Sequence, residues 1–488
     1  MSDSSSAPSL KANFTYSLLY QLLILVLPLI TLPYVSRIFG SENIGKYTYV
    51  HAFADYFVLG SMLGINTHGK RTIAAVRNNK EELSRTFCEL FVLQLIPSLF
   101  FSSIYILYCL LFVRSNRIIY LLHSLYVISS IFNINWFCSG MENFRLITIR
   151  NTIVHVASTI SVFLFVRTNS DLWIYTLILC SATFFSYISI WPYTLKTIHR
   201  TGIDIQGTLR HLRPILVLFI PVIANSIYHL MDKLMLGALV SEKEVGLYDC
   251  ACRIVIVPSV IIGAVIATIM PRISNLYANR NHESANKLMD DMALITTLMG
   301  CAMAFGLSAV GYDFAILFYG KDFSRTGIFI VILCPAILFR CLSGIIRSLH
   351  IIPTGKDRIY VISIVSGAAI NLIINAILIP RFSGFGAITG TLVAELLVMC
   401  LQMFLCRSDI NLRKYMINTV YLSITGTVMF LCVSALRLLP MNLILRLLLE
   451  ILLGAIIYLS LAWIYIRSNC KDSVIYKEIT GFFQSAKT

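Results

Sequence analysis

Apolar residues run through the chain in long stretches that short polar segments interrupt. A helix that crosses a hydrocarbon core of about 30 Å needs about 20 such residues, and fourteen stretches meet this length. The predicted spans are 14–36, 45–66, 87–113, 118–139, 146–166, 172–192, 214–239, 246–270, 289–313, 328–350, 359–380, 385–406, 416–437 and 443–466. The pattern therefore predicts an all-α membrane protein with 14 transmembrane helices.

The composition agrees with this pattern. Of the 488 residues, 57% are hydrophobic and only 13% are charged, whereas roughly 25% are charged in soluble globular proteins. This balance excludes an ordinary cytosolic enzyme. The first apolar run, residues 14–35, is longer than a signal-peptide core and lacks a small-residue cleavage pattern. We expect it to remain as the first helix.

The basic residues indicate the orientation of the chain. Lys and Arg total 39 against 24 acidic residues, for a formal charge of +15. With the N-terminus inside, 24 of the 39 fall in cytoplasmic segments and 11 in outer segments, as the positive-inside rule requires. We therefore expect both termini in the cytoplasm. Anionic lipid headgroups are expected to attract the basic residues near the membrane surface. The basic residues form no single patch, so nucleic acid is not an expected partner.

An internal repeat divides the predicted helices into two halves. Gly45 and Gly246 are 201 positions apart, as are Tyr47 and Tyr248, and the polar stretch 78–82 resembles 279–283. Six helices separate the matching elements, so both halves have the same orientation. We expect two six-helix bundles followed by two C-terminal helices. The predicted segments are an N-terminal tail 1–13, a first lobe 14–195, a linker 196–213, a second lobe 214–406, a helix pair 407–466 and a C-terminal tail 467–488.

The start of the chain resembles a known family. Residues 27–40, LPLITLPYVSRIFG, followed by Ile44-Gly45-Lys46-Tyr47, are similar to the first helix and turn of polysaccharide-type flippases in the multidrug/oligosaccharidyl-lipid/polysaccharide exporter superfamily. The helix number and the two halves also suit that family, so the resemblance covers the whole chain and implies a fold like that of the multidrug (MATE) exporters.

The resemblance implies a function as well as a fold. A Wzx-like member would carry undecaprenyl-pyrophosphate-linked oligosaccharide repeat units across the bacterial cytoplasmic membrane by alternating access. Other polysaccharide assembly proteins are further expected partners. No arginine lies well inside the first helix, where the lipid II flippase branch keeps a cationic lining. Capsule, O-antigen or exopolysaccharide units are therefore expected as cargo in preference to lipid II.

Seven charged residues within the predicted spans are candidates for functional roles. One charge at the bilayer centre costs roughly 2.5–3.5 kcal/mol on insertion scales, so several of the seven should pair or line a wet cavity. They are Asp55, Asp232, Lys233, Arg253, Arg340, Arg347 and Glu395. A flippase needs such a cavity for the sugars and pyrophosphate of its cargo.

The tenth span carries the strongest candidates for binding the cargo. Arg340 and Arg347 are seven residues apart, two turns along one face, with Ser343 and Gly344 between them. Guanidinium groups bind phosphate oxygens bidentately, and the small residues leave room for a headgroup. Arg347 also lies near the cytoplasmic end of the span, where reaching out to lipid phosphates is an equal alternative.

The second span carries candidates for ion coupling. Tyr47, His51 and Asp55 follow at intervals of four residues and share one face. An imidazole and a carboxylate one turn apart can exchange a proton near neutral pH. A hydrogen-bonded pair that only stabilises the bundle is the alternative.

Four further charges complete the set of candidates. Asp232 and Lys233 are adjacent and point about 100° apart on a helix, so each needs its own partner. Arg253 is one candidate partner for Asp232, and it and Lys233 are also candidates for contacting the cargo. Glu395 either carries a coupling proton or pairs with an arginine of the tenth span, and Asp232 is a further candidate for ion coupling.

Two other functions compete with the flippase hypothesis. A cation-coupled drug or metabolite exporter has the same fold, and four basic against three acidic residues among the seven candidates weigh slightly against it. A membrane polysaccharide polymerase or ligase needs a large outer loop, whereas the predicted outer loops are short. No metal-ligand spacing and no nucleophile motif occurs in the loops. We therefore expect a transporter that has no bound cofactor or metal and uses a proton or sodium gradient if it is coupled.

Overall fold

The computed structural model describes residues 10–480 except 200, 203, 472, 475, 477 and 479. The side chains of residues 10–26, 228 and 229 also lie outside the description. Most of the predicted N-terminal tail, 1–13, and the end of the C-terminal tail, 481–488, fall outside the described residues. Everything below concerns the described part of the chain.

The described residues are almost entirely helical. The helices of the first half are α1 Leu10–Met62, α2 Ile65–Val76, α3 Lys80–Leu111, α4 Arg117–Ser129, α5 Asn135–Gly140, α6 Phe144–Phe165, α7 Leu172–Ile188, α8 Trp191–Thr197 and α9 Ile205–Leu239. The helices of the second half are α10 Glu242–Ala278, α11 His282–Tyr319, α12 Ser324–Leu333, α13 Pro335–Ile346, α14 Asp357–Phe382, α15 Gly384–Leu405, α16 Leu412–Ala435 and α17 Leu443–Asn469. No β-strand occurs among the described residues.

The all-helical membrane class predicted from the sequence is confirmed, while the number of crossings stays a prediction. Ten helices within the described residues are long and apolar enough to cross a membrane, and a bent pair, 321–333 with 335–351, makes an eleventh. Helix covers parts of all fourteen predicted spans. α1 holds two of them, on either side of Gly40, where φ is 66° and ψ is 179°. This left-handed conformation suits glycine because it has no Cβ.

The predicted span 118–139 is not one continuous helix. α4 ends at Ser129, a short 3-10 turn follows, and α5 starts at Asn135. The break frees backbone carbonyls, and Gln94 of α3 satisfies two of them: its Nε2 donates to Ser130 O at 2.8 Å and to Asn133 O at 3.1 Å. The prediction of an unbroken helix here was wrong because apolar content alone does not reveal a buried side chain that caps a break.

The predicted span 328–350 is bent where a proline interrupts it. α12 and α13 meet at Pro335 with a bend of 42° between the two halves of the span, as expected for a proline that removes a helical hydrogen bond. α13 then continues into a π-helical turn, Arg347–Ile351. π-turns are rare and widen a helix locally.

α3 and α11, which carry the third predicted span of each lobe, begin in the same way. α3 begins after Asn79, whose side chain accepts hydrogen bonds from the amides of Glu81 and Glu82. α11 begins after Asn281, whose side chain accepts from the amide of Ser284. The two asparagines thus cap equivalent helices in the same way. This local match supports the duplication that the sequence indicates.

The chain divides into two compact units, Met1–Gly237 and Ala238–Thr488. The division lies near the end of α9, whereas the sequence analysis placed the linker at 196–213. The last helices, α16 and α17, pack on α11 inside the second unit around buried residues such as Leu422, Met429 and Tyr458. The lobe boundaries drawn from the sequence stay a prediction.

Candidate functional site

A carboxylate, a histidine and a tyrosine meet inside the first unit. Asp55 accepts a hydrogen bond of 2.6 Å from the hydroxyl of Tyr126, and its other oxygen lies 3.9 Å from His51 Nε2. His51 and Asp55 occupy neighbouring turns of α1, so they share one face. The sequence placed these two residues together correctly, whereas Tyr126 of α4 was not among the predicted site residues.

Aromatic rings surround His51. The ring of Tyr47 is stacked on it with centroids 5.5 Å apart, and the rings of His123 and Tyr126 lie at 5.6 Å and 4.9 Å. His123 is buried, and its Nδ1 lies 2.8 Å from Ile119 O. The side chains of His51 and Asp55 keep 34% and 24% exposure. This arrangement holds a protonatable pair in place and leaves it reachable from outside the core.

Asp232 and Lys233 lie on α9 in the same unit. Asp232 is buried with 2% exposure, within electrostatic reach of Tyr56 on α1, and Lys233 is partly exposed. α9 approaches α1 closely at Gly237. A Cβ added to this glycine would lie only 2.2 Å from the ring of Tyr49. Asp232 thus belongs to the side of α9 that packs against the helix of Asp55.

Arg340 and Glu395 form an ion pair in the second unit. Arg340 Nε, on α13, donates a hydrogen bond to Glu395 Oε1 on α15. The Glu395 side chain is 8% exposed and that of Arg340 22%, so the carboxylate is buried while the guanidinium keeps one accessible side. Of the two predicted roles of Glu395, the structure thus contains the pairing with an arginine of the tenth span. Ser343 Oγ donates to the backbone of its own helix, Arg340 O, at 3.2 Å.

Arg253 has a nearby carboxylate that the sequence analysis overlooked. Its Nε donates to Asp249 Oδ2 at 2.6 Å, one turn earlier on α10. Asp249 is buried with 1% exposure and lies within the predicted eighth span. The structure thus contains a local pair on α10, for which the four-residue spacing between Asp249 and Arg253 was the signal. The pairing of Arg253 with Asp232 considered from the sequence stays a prediction.

Arg347 starts the π-helical turn and faces an aromatic ring. Its guanidinium lies 5.8 Å from the ring centroid of Tyr360 on α14, a cation–π distance. Arg347 is two turns from Arg340 along the chain. It contacts α14, whereas Arg340 pairs with Glu395 on α15. Regular α-helix runs from Arg340 to Ile346 and the π-turn begins only at Arg347, so the common face predicted for the two arginines from their seven-residue spacing stays a prediction.

A polar network lies just beyond Arg347. His350 Nε2 is 3.2 Å from Asp409 Oδ2, and its Nδ1 is 3.2 Å from the hydroxyl of Tyr277. Lys356 also donates to Asp409. Asp409 lies in the loop before α16, and the hydrogen bond from Lys356 lowers the pKa of its carboxyl below the usual value. This network connects α10, the π-turn and the loop, and the sequence analysis assigned it no role.

A second cluster of charges ties the last helices to α11. Arg446 Nη2 lies 2.9 Å from Asp313 Oδ1, and Arg437 Nε lies 3.7 Å from Asp313 Oδ2 and 3.9 Å from Glu450 Oε1. Glu450 is buried with 1% exposure. Glu450 lies within the predicted last span, so its charge alone was a signal that the sequence analysis missed. The cluster balances two arginines against two carboxylates and holds helices together.

Part of the predicted linker is attached to the first unit. His211 Nδ1 lies 2.8 Å from His68 Nε2 on α2, and His211 Nε2 lies 3.3 Å from Glu89 Oε2 on α3. Burial, with nearby His211 and Arg71, lowers the pKa of His68 below 6.5. The start of α9 is thus fixed to α2 and α3. Among the described residues, no group of three or more His, Cys, Asp or Glu side chains has a metal-binding arrangement.

Helices of membrane-spanning length, with paired charges at depth, define a multi-pass membrane protein. Residues 10–277 match the family described as "Polysaccharide biosynthesis protein". Because this match covers more than half of the chain, the chain belongs to that family. The family resemblance inferred from the start of the sequence is confirmed.

Curated relatives match along nearly their whole length. The "Putative O-antigen transporter" of Shigella dysenteriae is 22% identical over 378 residues, which cover 76% of this chain and 93% of the relative. The "Capsular polysaccharide biosynthesis protein CapF" of Staphylococcus aureus is 22% identical over 397 residues, 79% of this chain and 96% of the relative.

Solved structures show the same fold. The lipid II flippase MurJ in an inward closed conformation superposes with a TM-score of 0.71 at 14% identity, covering 93% of this chain and 99% of that chain. An inward-facing multidrug resistance MATE family transporter of the MOP superfamily superposes with a TM-score of 0.59 at 14% identity. The superposition covers 78% of this chain and 95% of that chain. The predicted MATE-like fold is thereby confirmed.

Proposed function

We propose that the protein is a transporter that moves lipid-linked oligosaccharides across the membrane. Its family and its relatives support this function, because those relatives are named as an O-antigen transporter and a capsular polysaccharide biosynthesis protein. Undecaprenyl-pyrophosphate-linked repeat units of a capsule, O-antigen or exopolysaccharide are the proposed cargo. The protein would work by alternating access in a bacterial cytoplasmic membrane, with both termini in the cytoplasm.

Arg340 is the proposed contact for the pyrophosphate. The observation that carries this role is its ion pair with Glu395, between two helices of membrane-spanning character. Glu395 neutralises the guanidinium while no cargo is bound, which avoids an uncompensated charge at depth. A pyrophosphate, with more negative charge and more acceptor oxygens than one carboxylate, competes for the same donors. Arg347, Arg253, Lys233 and Ser343 remain proposed secondary contacts.

Asp55 and His51 are the proposed ion-coupling pair. Asp55 lies 3.9 Å from His51 and accepts a hydrogen bond from Tyr126, so a proton taken up by the pair changes the charge of α1 without loss of packing. Asp232 and Glu395 are the other carboxylates proposed to respond to an ion gradient, because both are buried. No bound cofactor is needed in this scheme.

A charge exchange between Arg340 and Glu395 tests the proposal. Arg340→Gln should reduce surface polysaccharide about 10- to 100-fold, the value of one charge-assisted hydrogen-bonding contact, with normal amounts of protein in the membrane. The double variant Arg340→Glu with Glu395→Arg restores a pair but moves the guanidinium to α15. We expect it to be stable in the membrane and inactive.

The matched control exchanges an exposed pair. Arg77 Nη1 lies 2.7 Å from Glu142 Oε1, with side-chain exposures of 35% and 54%, and the exchanged pair should retain full activity. If the Arg340 and Glu395 exchange restores surface polysaccharide, the pair serves only the structure. If export of a cationic dye, and not surface polysaccharide, depends on Arg340, the protein is an exporter of the multidrug type.

A further inference from the structure

A groove opens on the first unit where α6 begins. Its volume is about 480 Å³, and the walls include side chains of Arg145, Arg150, Ile149, Ile153, Val154 and Ser189. All of these residues belong to the first unit. None of them was among the candidate residues, and the proposed transport function assigns them no role.

Two arginines line the groove. Arg145 is exposed, whereas Arg150 is buried with 8% exposure. Arg150 is held in place by hydrogen bonds to Asn151 Oδ1 at 3.0 Å and to Asn135 Oδ1 at 3.2 Å. Lys70 of α2 approaches the same region, 5.9 Å above the ring of Phe144. The arginine-lined part of the groove therefore attracts an anion.

The rest of the groove is apolar and open. Ile149 and Ile153 are four residues apart on α6, so they share one face, and they are 44% and 63% exposed. α6 is long and apolar enough to cross a membrane. Exposed isoleucines on such a helix contact acyl chains. From Arg145 to Ile153 the groove follows α6 for about 12 Å, at 1.5 Å per residue.

The position of the groove agrees with the level of lipid phosphates. Arg145 is the second residue of α6, the helix that forms the span, in a segment whose basic residues indicate the cytoplasmic side. Basic pockets between transmembrane helices on this side are suited to anionic headgroups. A phosphate at Arg145 and Arg150 would place its own acyl chain against Ile149 and Ile153.

We propose that this groove binds an anionic phospholipid of the cytoplasmic leaflet. The phosphate contacts Arg145 and Arg150, and one acyl chain lies along Ile149 and Ile153. The groove favours a membrane phospholipid over the carrier lipid of a cargo, because a phospholipid surrounds this face at high concentration. The inference does not depend on the transport function, since any protein with this groove would bind the same lipid.

Lipid retention by the purified full-length protein tests the inference. Native mass spectrometry in detergent, with phosphatidylglycerol and phosphatidylcholine offered in equal amounts, should show preferential retention of phosphatidylglycerol. Arg145→Gln should lower its occupancy about fivefold, the effect of one basic residue near an anionic surface. Arg167→Gln is the matched control: Arg167 is exposed just beyond the opposite end of α6 and should leave retention unchanged.

Three results would overturn the inference. Equal retention of the two phospholipids would show that the groove does not select an anionic headgroup. An unchanged occupancy in Arg145→Gln would show that the lipid binds at another site. Displacement of phosphatidylglycerol by an equimolar polyprenyl diphosphate would assign the groove to the carrier lipid. Arg145→Gln is the main test variant because the side chain of Arg145 is exposed. Ile153→Asn, which alters the apolar wall, provides a second variant that should weaken retention of the same lipid.

Discussion

Tyr126 gives the carboxylate of Asp55 a fixed position. The hydrogen bond of 2.6 Å from its hydroxyl occupies one oxygen, and the other oxygen lies 3.9 Å from His51 Nε2. In the proposed coupling, the carboxylate is the group whose charge changes, and the tyrosine orients it. Removing each of the two has a different expected effect.

Asp55→Asn should abolish any dependence of transport on a proton gradient, because the amide does not titrate at neutral pH. Tyr126→Phe keeps the carboxylate, so the dependence should persist at a lower rate. Both variants can be reconstituted in liposomes with an imposed pH difference while cargo movement is followed. A gradient dependence that survives in Asp55→Asn would remove this residue from the coupling mechanism.

His68 should make the stability of the protein sensitive to pH. Because burial, His211 and Arg71 lower its pKa below 6.5, the unfolded chain binds a proton more readily than the folded one. The contribution to stability is thus fully present above pH 6.5 and is lost as the pH falls through the folded-state pKa. His68→Gln should lose less thermal stability between pH 7 and pH 5 than the wild type.

Thermal unfolding of the purified protein at several pH values checks this expectation. His282→Gln provides the control, because His282 is an exposed histidine at the start of α11 and should leave the pH dependence of the wild type intact. An identical pH dependence in wild type and His68→Gln would contradict the assignment.

Charge alone identified many of the relevant residues in the sequence. Asp55, Arg340 and Glu395 were found because a charge in an apolar stretch needs compensation. Their partners were harder to predict. Glu395 meets Arg340 across 55 positions of sequence, and Tyr126 meets Asp55 across 71, so these contacts depend on which helices pack together.

At the scale of the helices, the close packing of α14 and α15 depends on glycine. A Cβ added at Gly386 would lie 2.5 Å from the carbonyl carbon of Leu378 and 2.6 Å from the backbone nitrogen of Ile379. These are backbone atoms, so no side-chain rotation relieves the clash. The two helices must separate if this residue becomes larger, and Glu395 on α15 would move with its helix.

Gly386→Ala should therefore destabilise the protein by about 1–3 kcal/mol, the usual range for overpacking. Gly263→Ala is the control, because no atom lies within 4 Å of its added Cβ and alanine favours a helix. Thermal unfolding in detergent compares the two variants. A melting temperature of Gly386→Ala equal to that of Gly263→Ala would contradict the close approach of the two helices.

The positions of the helices were predicted from apolar length, whereas their interruptions were not. The break between α4 and α5 depends on Gln94 and its hydrogen bonds to carbonyls of the broken segment. The bend at Pro335 was signalled by the proline itself, but the π-turn after it had no signal in the sequence. Apolar length reports that a helix fits the membrane and does not report how neighbouring helices reshape it.

At the scale of the whole molecule, the cap of one helix in each unit agrees with the duplication that the sequence indicates. Asn79 and Asn281 each cap the helix that follows them, and each unit contains buried charges, among them Asp232 in the first and Asp249, Asp313 and Glu395 in the second. The arrangement as two six-helix bundles stays a prediction that rests on residues recurring at a constant spacing. The terminal pair α16 and α17 joins the second unit through Asp313 and Arg446, a contact that spacing alone did not reveal.

The leaflet position of the lipid-linked oligosaccharide tests the central claim most directly. In cells that make the oligosaccharide, its accessibility on intact spheroplasts to a membrane-impermeant sugar oxidant is measured with and without this protein. The account predicts that without the protein, or with Arg340→Gln, the lipid-linked units accumulate and remain protected until the membrane is opened. An equal exposed fraction in cells that lack the protein and cells that contain it would contradict the account.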